Sequence, residues 1–459
     1  MRAVLCWTIL GAAAIGFIAA EPRHRLSSVV SPDHLVALII DDRRDEIGAA
    51  IGPIVANDER LRAFYSTGDG PAWVTGASTT RAADALQLLR SAGDHGLNPA
   101  DYRESELSAA LTSLDQTEQD DTQRIDRLAA FDVELTSAVL ALGHDVAVGH
   151  TRPEAIAKQW KALRTEPDLA GTLREHSMDL DEWLKAIQPS HPQYVKLQQS
   201  LLDPAVRQDP EAVRVVALNL DRWRWMPDEL GPNHLFVNIP AYELMAEEDG
   251  NTVFTMRVIV GKPTRRTPVL SSAMNTVVFS PYWNIPTSIA SGETVPEAAQ
   301  DPNYLQKRGI EIRRVSKGGA TAVDPGQIDW NDQAQTRQLS FRQRPGAQNA
   351  LGYVKFLFPN AFDVYLHDTP TDSLFGRTKR ALSHGCVRLE NPEGLAKYVL
   401  RGYEDWDGER IVTAMHSGNE RAVKLSQTLP VHIAYFTAWV TDDGTVMFYP
   451  DVYGYEEKE

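Results

Sequence analysis

Apolar residues recur at steps of three and four along residues 31–200, the spacing of one face of a helix. Leu128, Phe131, Leu135, Val139 and Leu142 form one such stripe, and Ala85, Leu88, Leu89 and Ala92 form another. Gly93 and Gly96 end the second stripe, and Asn98-Pro99 follows as a stop signal. This stretch is expected to be a helical domain with its own core, with Phe64, Tyr65, Pro71, Ala72 and Trp73 as core or docking positions.

Beyond Pro189-Ser190-His191-Pro192, Asp203-Pro204 and Asp209-Pro210, the pattern shifts to a period of two. Residues 235–242 and 252–260 read as strands of a hairpin turned at Asp249-Gly250, because that pair supplies the positive φ such a turn needs. Residues 276–279 and 362–366 add two more strands. Val431, Ile433, Tyr435, Thr437 and Trp439 alternate as one strand, Asp443-Gly444 turns, and 446–449 returns. Residues 286–345 are polar with few strand signals, the pattern of an irregular lid or binding subdomain, or else of a plain surface insertion. The expected class is α+β: a helical domain over 31–200, a linker at 201–212, and a β-rich domain over 213–459 that carries the insertion at about 286–345.

Composition narrows the function. A chain of 459 residues, 43% hydrophobic, can bury more than one core, which excludes a disordered protein. A formal net charge of −16 with no long basic run argues against nucleic acid as a partner. The N-terminus places an apolar run at residues 3–20 between Met1-Arg2 and Glu21-Pro22-Arg23, the layout of an export segment. Its length suits either a cleaved signal peptide or a retained membrane anchor. Cys6 lies inside that segment, so the remainder holds Cys386 as its one cysteine. A lone thiol in an oxidising compartment is either a buried small hydrophobe or a chemical group.

The neighbours of Cys386 favour chemistry. Phe362, Val364 and Leu366 are expected on one face of a strand, which puts Asp363, Tyr365 and His367 on the other, with His367 at the strand end. An imidazole near a thiol can take its proton and stabilise the thiolate. Gly385 permits a turn in which successive N–H groups converge on an oxyanion. No His-Glu-x-x-His or comparable cluster suggests a metal site.

His367, followed by Ser383-His384-Gly385-Cys386-Val387-Arg388, resembles the signature of the L,D-transpeptidase (YkuD-type) catalytic domain. The resemblance extends to the long, YcbB-like branch through Asn219–Trp225, Tyr282–Pro286, Arg344-Pro345-Gly346, Asn349–Gly352, Lys355-Phe356, Phe358-Pro359-Asn360 and His95-Gly96-Leu97-Asn98-Pro99. It implies Cys386 as nucleophile and His367 as general base and acid, with the amides of His384, Gly385 and Cys386 as the oxyanion hole. Arg388 would hold a substrate carboxylate or make structural hydrogen bonds. Ser383 belongs to the motif loop, His384 is either a second imidazole or a shaper of that loop, and Tyr353 would line the pocket.

The family's substrates are peptidoglycan stem tetrapeptides, joined as 3→3 cross-links through a cysteinyl thioester with no cofactor or metal; carbapenems act as pseudo-substrates. Alternatives are an L,D-carboxypeptidase or a wall-protein attachment enzyme using the same acyl-enzyme, and a non-catalytic wall scaffold. The resemblance implies a periplasmic location, either soluble or anchored to the inner membrane through residues 3–20, with other wall-synthesis proteins as further partners. Members of this branch often place a peptidoglycan-binding domain where this chain has only 201–212.

Overall fold

The computed structural model describes residues 43–457 except 67–69, 75–78, 117–120, 176–178 and 317–318. The apolar N-terminal run, and with it the choice between signal and anchor, lies outside the described residues. Among the described residues no helix is long and apolar enough to cross a membrane. The chain divides into two compact units, one running to Glu229 and joined by Phe436–Glu459, the other Leu230–Tyr435.

The first unit is helical. Its main elements are α1 (Arg44–Val55), α2 (Thr79–Arg90), α3 (Glu104–Gln116), α4 (Asp121–Val148) and α5 (Pro210–Arg224). The stripe from Leu128 to Leu142 lies on α4, and all five of its residues are buried. Ala85, Leu88 and Leu89 of α2 and Ile47, Ile51 and Val55 of α1 join the same core. Asp132 of α4 is fully buried and accepts from the Tyr65 hydroxyl at 2.6 Å and the Trp73 amide at 2.6 Å, which fastens the aromatic segment to the long helix. Asp209 caps α5, accepting from the amides of Glu211 and Ala212, and Pro210 opens its first turn. The expected linker at 201–212 therefore contains a short helix, Pro204–Arg207, and the start of α5; the unit boundary falls at Glu229 instead.

The second unit is built on a sheet of β1 (Asn233–Asn238), β2 (Glu243–Glu248), β3 (Asn251–Gly261), β4 (Leu270–Phe279), β9 (Val354–Leu357), β10 (Leu366–His367), β11 (Ala381–Ser383), β12 (Val387–Leu389) and β13 (Arg421–Ala434). The strand order is β11-β3-β12-β10-β9-β4-β13-β1-β2, and a further β2–β3 pairing closes it on itself. Closure pairs backbone groups that an open edge would expose. The hairpin turn is at Asp249-Gly250, with φ of 48° and 80°, but it joins β2 to β3. Glu247 and Glu248, just ahead of that turn, are the last residues of β2.

Two other strand expectations are corrected. The strand foreseen over 362–366 is confined to Leu366–His367, because Asp363 takes a left-handed φ of 53° and Asn360 Oδ1 gathers the amides of Phe362 and Val364 into a turn. Phe362 is accordingly exposed rather than on an apolar face. The run from Val431 to Trp439 is not one strand: β13 stops at Ala434, and Trp439 belongs to β14 (Ala438–Val440), which pairs with β15 (Val446–Phe448) in the first unit. Alternation could not mark the break, since His432, Ala434 and Phe436 between the apolar positions are buried too.

Among its described residues, the insertion at 286–345 is ordered, not irregular. With β5 (Trp283–Ile285) just ahead of it, β6 (Ile310–Ser316), β7 (Gly319–Ala322) and β8 (Leu339–Gln343) form a sheet in the order β5-β8-β6-β7. Ile285, Ile289, Leu305, Ile312, Ile328 and Phe341 give it a small core. Its strands read as polar because one face carries cross-strand ion pairs: Glu311 meets Arg342 at 2.9 Å and Arg344 at 2.7 Å.

Candidate active site

Strands β10 and β12 run parallel, with Leu366 opposite Val387 and His367 opposite Arg388. The pleat sends Leu366, Val387 and Leu389 into the core, each essentially without exposure. Tyr365, His367, Cys386 and Arg388 instead line one cavity of about 710 Å³. The insertion supplies much of another wall, including Ile289, Glu293 and Tyr304.

Cys386 is half-buried in the bend just before β12, its Sγ 3.9 Å from the Asp363 carbonyl oxygen. Burial pushes its thiol above the ordinary range, while Tyr365 and the Arg388 charge offset part of that rise. His367 is 5% exposed, and its Nδ1 lies 2.5 Å from the Asp368 carbonyl oxygen. A carbonyl only accepts, so Nδ1 carries the proton and Nε2 keeps a lone pair. Burial first, and then the positive charge of Arg388, lower the imidazole to about 3. Asp368 is itself fixed, its carboxylate accepting from the amides of Tyr353 at 2.7 Å and Thr369 at 2.6 Å.

The loop before Cys386 is pinned from within. Ser383 Oγ accepts from the Gly385 amide at 3.1 Å and donates to the Cys386 carbonyl at 2.5 Å. Of the three amides expected to meet an oxyanion, that of Gly385 is thus committed to Ser383. Gly385 has φ of 122°, which a side chain would strain. His384 Nε2 lies 2.6 Å from Glu293 Oε1, within a π-type turn at Ala290–Thr294. That turn has a cause in sequence: Pro296 lacks the N–H that a regular helix would give to the Gly292 carbonyl.

Arg388 has no carboxylate partner among the described residues, and its Nε is buried without a hydrogen bond. Desolvation lowers its guanidinium below the usual value. Tyr353 does not line the cavity; its ring packs against His416 with centroids 4.2 Å apart. Besides Tyr304 of the insertion, Tyr365 lines it, and its shared parity with His367 was visible in Tyr365-Leu366-His367. Arg265 and Glu293 also line it, and neither sits in a motif that points to the site.

Residues 232–413 match the L,D-transpeptidase catalytic domain, so a YkuD-type catalytic domain carries this cavity. Residues 59–201 match the Scaffold domain, which gives the chain the YcbB-like arrangement of scaffold followed by catalytic domain. A Haemophilus influenzae protein named "Putative L,D-transpeptidase" is 38% identical over 243 residues, 53% of this chain and 48% of that protein. The chain thus spans about half the length of the curated relative it matches. Among solved structures, the L,D-transpeptidase from Mycobacterium smegmatis is 13% identical, with 44% of this chain and 58% of that chain covered and a TM-score of 0.22. L,D-transpeptidase 3 from Mycobacterium tuberculosis in complex with a faropenem-derived adduct is 14% identical, with 44% and 60% covered and a TM-score of 0.21. Likenesses that weak carry no inference about this chain.

Proposed function

We propose that this chain is a periplasmic peptidoglycan L,D-transpeptidase that forms 3→3 cross-links between stem peptides through a thioester on Cys386. The observation that carries this reading is a neutral imidazole at His367, its Nδ1 proton committed to Asp368 and its Nε2 unengaged, in the cavity Cys386 shares. In the donor step the thiol proton passes to Nε2 as sulfur attacks the carbonyl between the third residue, typically meso-diaminopimelate, and the terminal D-alanine. The amides of His384 and Cys386 receive the oxyanion. The C–N bond then breaks, D-alanine leaves with the proton from His367, and the thioester remains. A side-chain amine of a second stem attacks it, surrenders a proton through His367, and expels the sulfur, which is reprotonated. The insertion walls the cavity and favours the amine over water.

The test incubates the protein lacking residues 1–20, and its Cys386→Ala variant, with disaccharide-tetrapeptide and reads products by mass spectrometry. A Cys386-dependent dimer joined through two third-position residues is the expected product. Tripeptide alone would move the reading to a carboxypeptidase, and no reaction would leave a wall scaffold.

A further inference from the structure

Arg265, on the loop between β3 and β4, lines the same cavity as Cys386 and Arg388. Its side chain is half-buried, and among the described residues its guanidinium makes no hydrogen bond or ion pair. The loop that carries it is tightly held. The Arg265 amide donates to the Lys262 carbonyl at 2.8 Å, and Arg266 Nε donates to the Pro263 carbonyl at 3.1 Å. Thr267, fully buried, accepts from the Gly261 amide at 2.8 Å and donates to the Gly385 carbonyl at 2.7 Å. Arg265 is therefore anchored, two residues away, to the backbone that immediately precedes Cys386.

On its other side, one guanidinium nitrogen of Arg265 is 3.8 Å from where a β-carbon on Gly292 would sit. The adjacent acid, Glu293, is already engaged by His384 at 2.6 Å and leaves Arg265 uncompensated. Arg388 is in the same condition, so two guanidinium groups line the cavity unpaired, although Glu293 and Asp363 line it too. This happens in a chain of formal net charge −16, where internal acids are plentiful. Cavity-lining cations with no internal partner are suited to an anion brought in from outside.

We propose that Arg265 is a carboxylate-recognition residue, and that the cavity selects an acyl donor presenting two carboxylates, one to Arg388 and one to Arg265. The proposal rests on the transpeptidase reading and narrows it. A tetrapeptide donor ending in D-alanine supplies such groups at its C-terminus and on the side chain of its third residue. A guanidinium fork binds a carboxylate through two parallel hydrogen bonds; a carboxamide in its place turns one acceptor into a donor and leaves buried groups unpaired.

The experiment measures binding without turnover, using the Cys386→Ala protein and calorimetry. Three peptides are compared: the tetrapeptide, the same peptide amidated at its C-terminus, and the same peptide amidated at the third residue's side-chain carboxylate. Each amide is expected to bind about tenfold or more weakly than the acid, and an amide that binds as tightly as the acid overturns the two-carboxylate reading. Adding Arg265→Ala should weaken the acid and abolish its advantage over one of the two amides, which identifies the carboxylate Arg265 holds. Arg265→Lys should restore part of that preference, and matched thermal melts show that each variant is folded. Equal affinity for all three peptides, or equal weakening of all three by Arg265→Ala, overturns the proposal. If acid-selective binding holds but the unmodified chain forms no thioester on Cys386, the transpeptidase reading fails while the carboxylate site stands.

Discussion

His384 Nε2 meets Glu293 Oε1 at 2.6 Å, so the residue two before Cys386 is tied to the insertion rather than to the thiol. The tie gives His384 a defined task, holding the Cys386 loop and the cavity's outer wall in one arrangement. A second catalytic imidazole is not needed to explain it.

Glu293→Ala should therefore slow acylation of Cys386 by a carbapenem about tenfold, the scale on which small misplacements act. The melting temperature should move by less than about 3 °C, because half-exposed pairs contribute on the order of 1 kcal/mol or less. Unchanged acylation would show the contact to be idle.

The lowered imidazole and raised thiol define a resting pair of neutral groups rather than a thiolate–imidazolium pair. Alkylation of Cys386 by iodoacetamide should then keep rising from pH 7 to beyond 9, roughly following the thiolate fraction. A plateau near neutrality would contradict this.

His95, His367 and His432 are buried and held at about 4, 3 and 4. Each is neutral when folded and takes a proton more readily when unfolded, near pH 6.5. Their contribution to stability is present in full above about pH 6.5 and is lost as pH falls toward 4 and then 3, at up to about 1.4 kcal/mol per pH unit for each group. Urea midpoints should be level above pH 7 and fall steeply from 6 to 4. A flat profile down to pH 4 would show that these imidazoles are not held neutral.

Arg388→Met should separate stability from use. Removing a desolvated, unpaired cation is expected to raise the melting temperature by about 2–4 °C, on the order of 1 kcal/mol. Donor KM should rise at the same time. A lower melting temperature would mean that the guanidinium supports the fold.

The helical unit was largely legible in sequence, because stripes such as Leu128 to Leu142 have one period and one buried face. So were the short-range parts of the site: His367 ends a strand, and Gly385 takes the conformation that its place before Cys386 suggested. What depends on partners far along the chain was not. Arg265 acquires its place through Thr267 and Gly385, which lie 118 residues apart. Tyr353, expected to line the pocket, packs instead against His416. The insertion's strands hid because Glu311, Arg342 and Arg344 satisfy one another across the sheet and blur the alternation that marks a buried face.

Thr437, in the returning segment Phe436–Glu459, donates its amide to Asn219 Oδ1 at 2.8 Å, and its hydroxyl accepts from Asn219 Nδ2 at 3.0 Å and Arg222 Nη1 at 2.9 Å. These three contacts on α5 form only once that segment has been synthesised. The helical unit, though begun first on the ribosome, is thus completed last, after the whole catalytic domain has been made. A chain stopped anywhere within Leu230–Tyr435 therefore lacks the contacts that finish the helical unit.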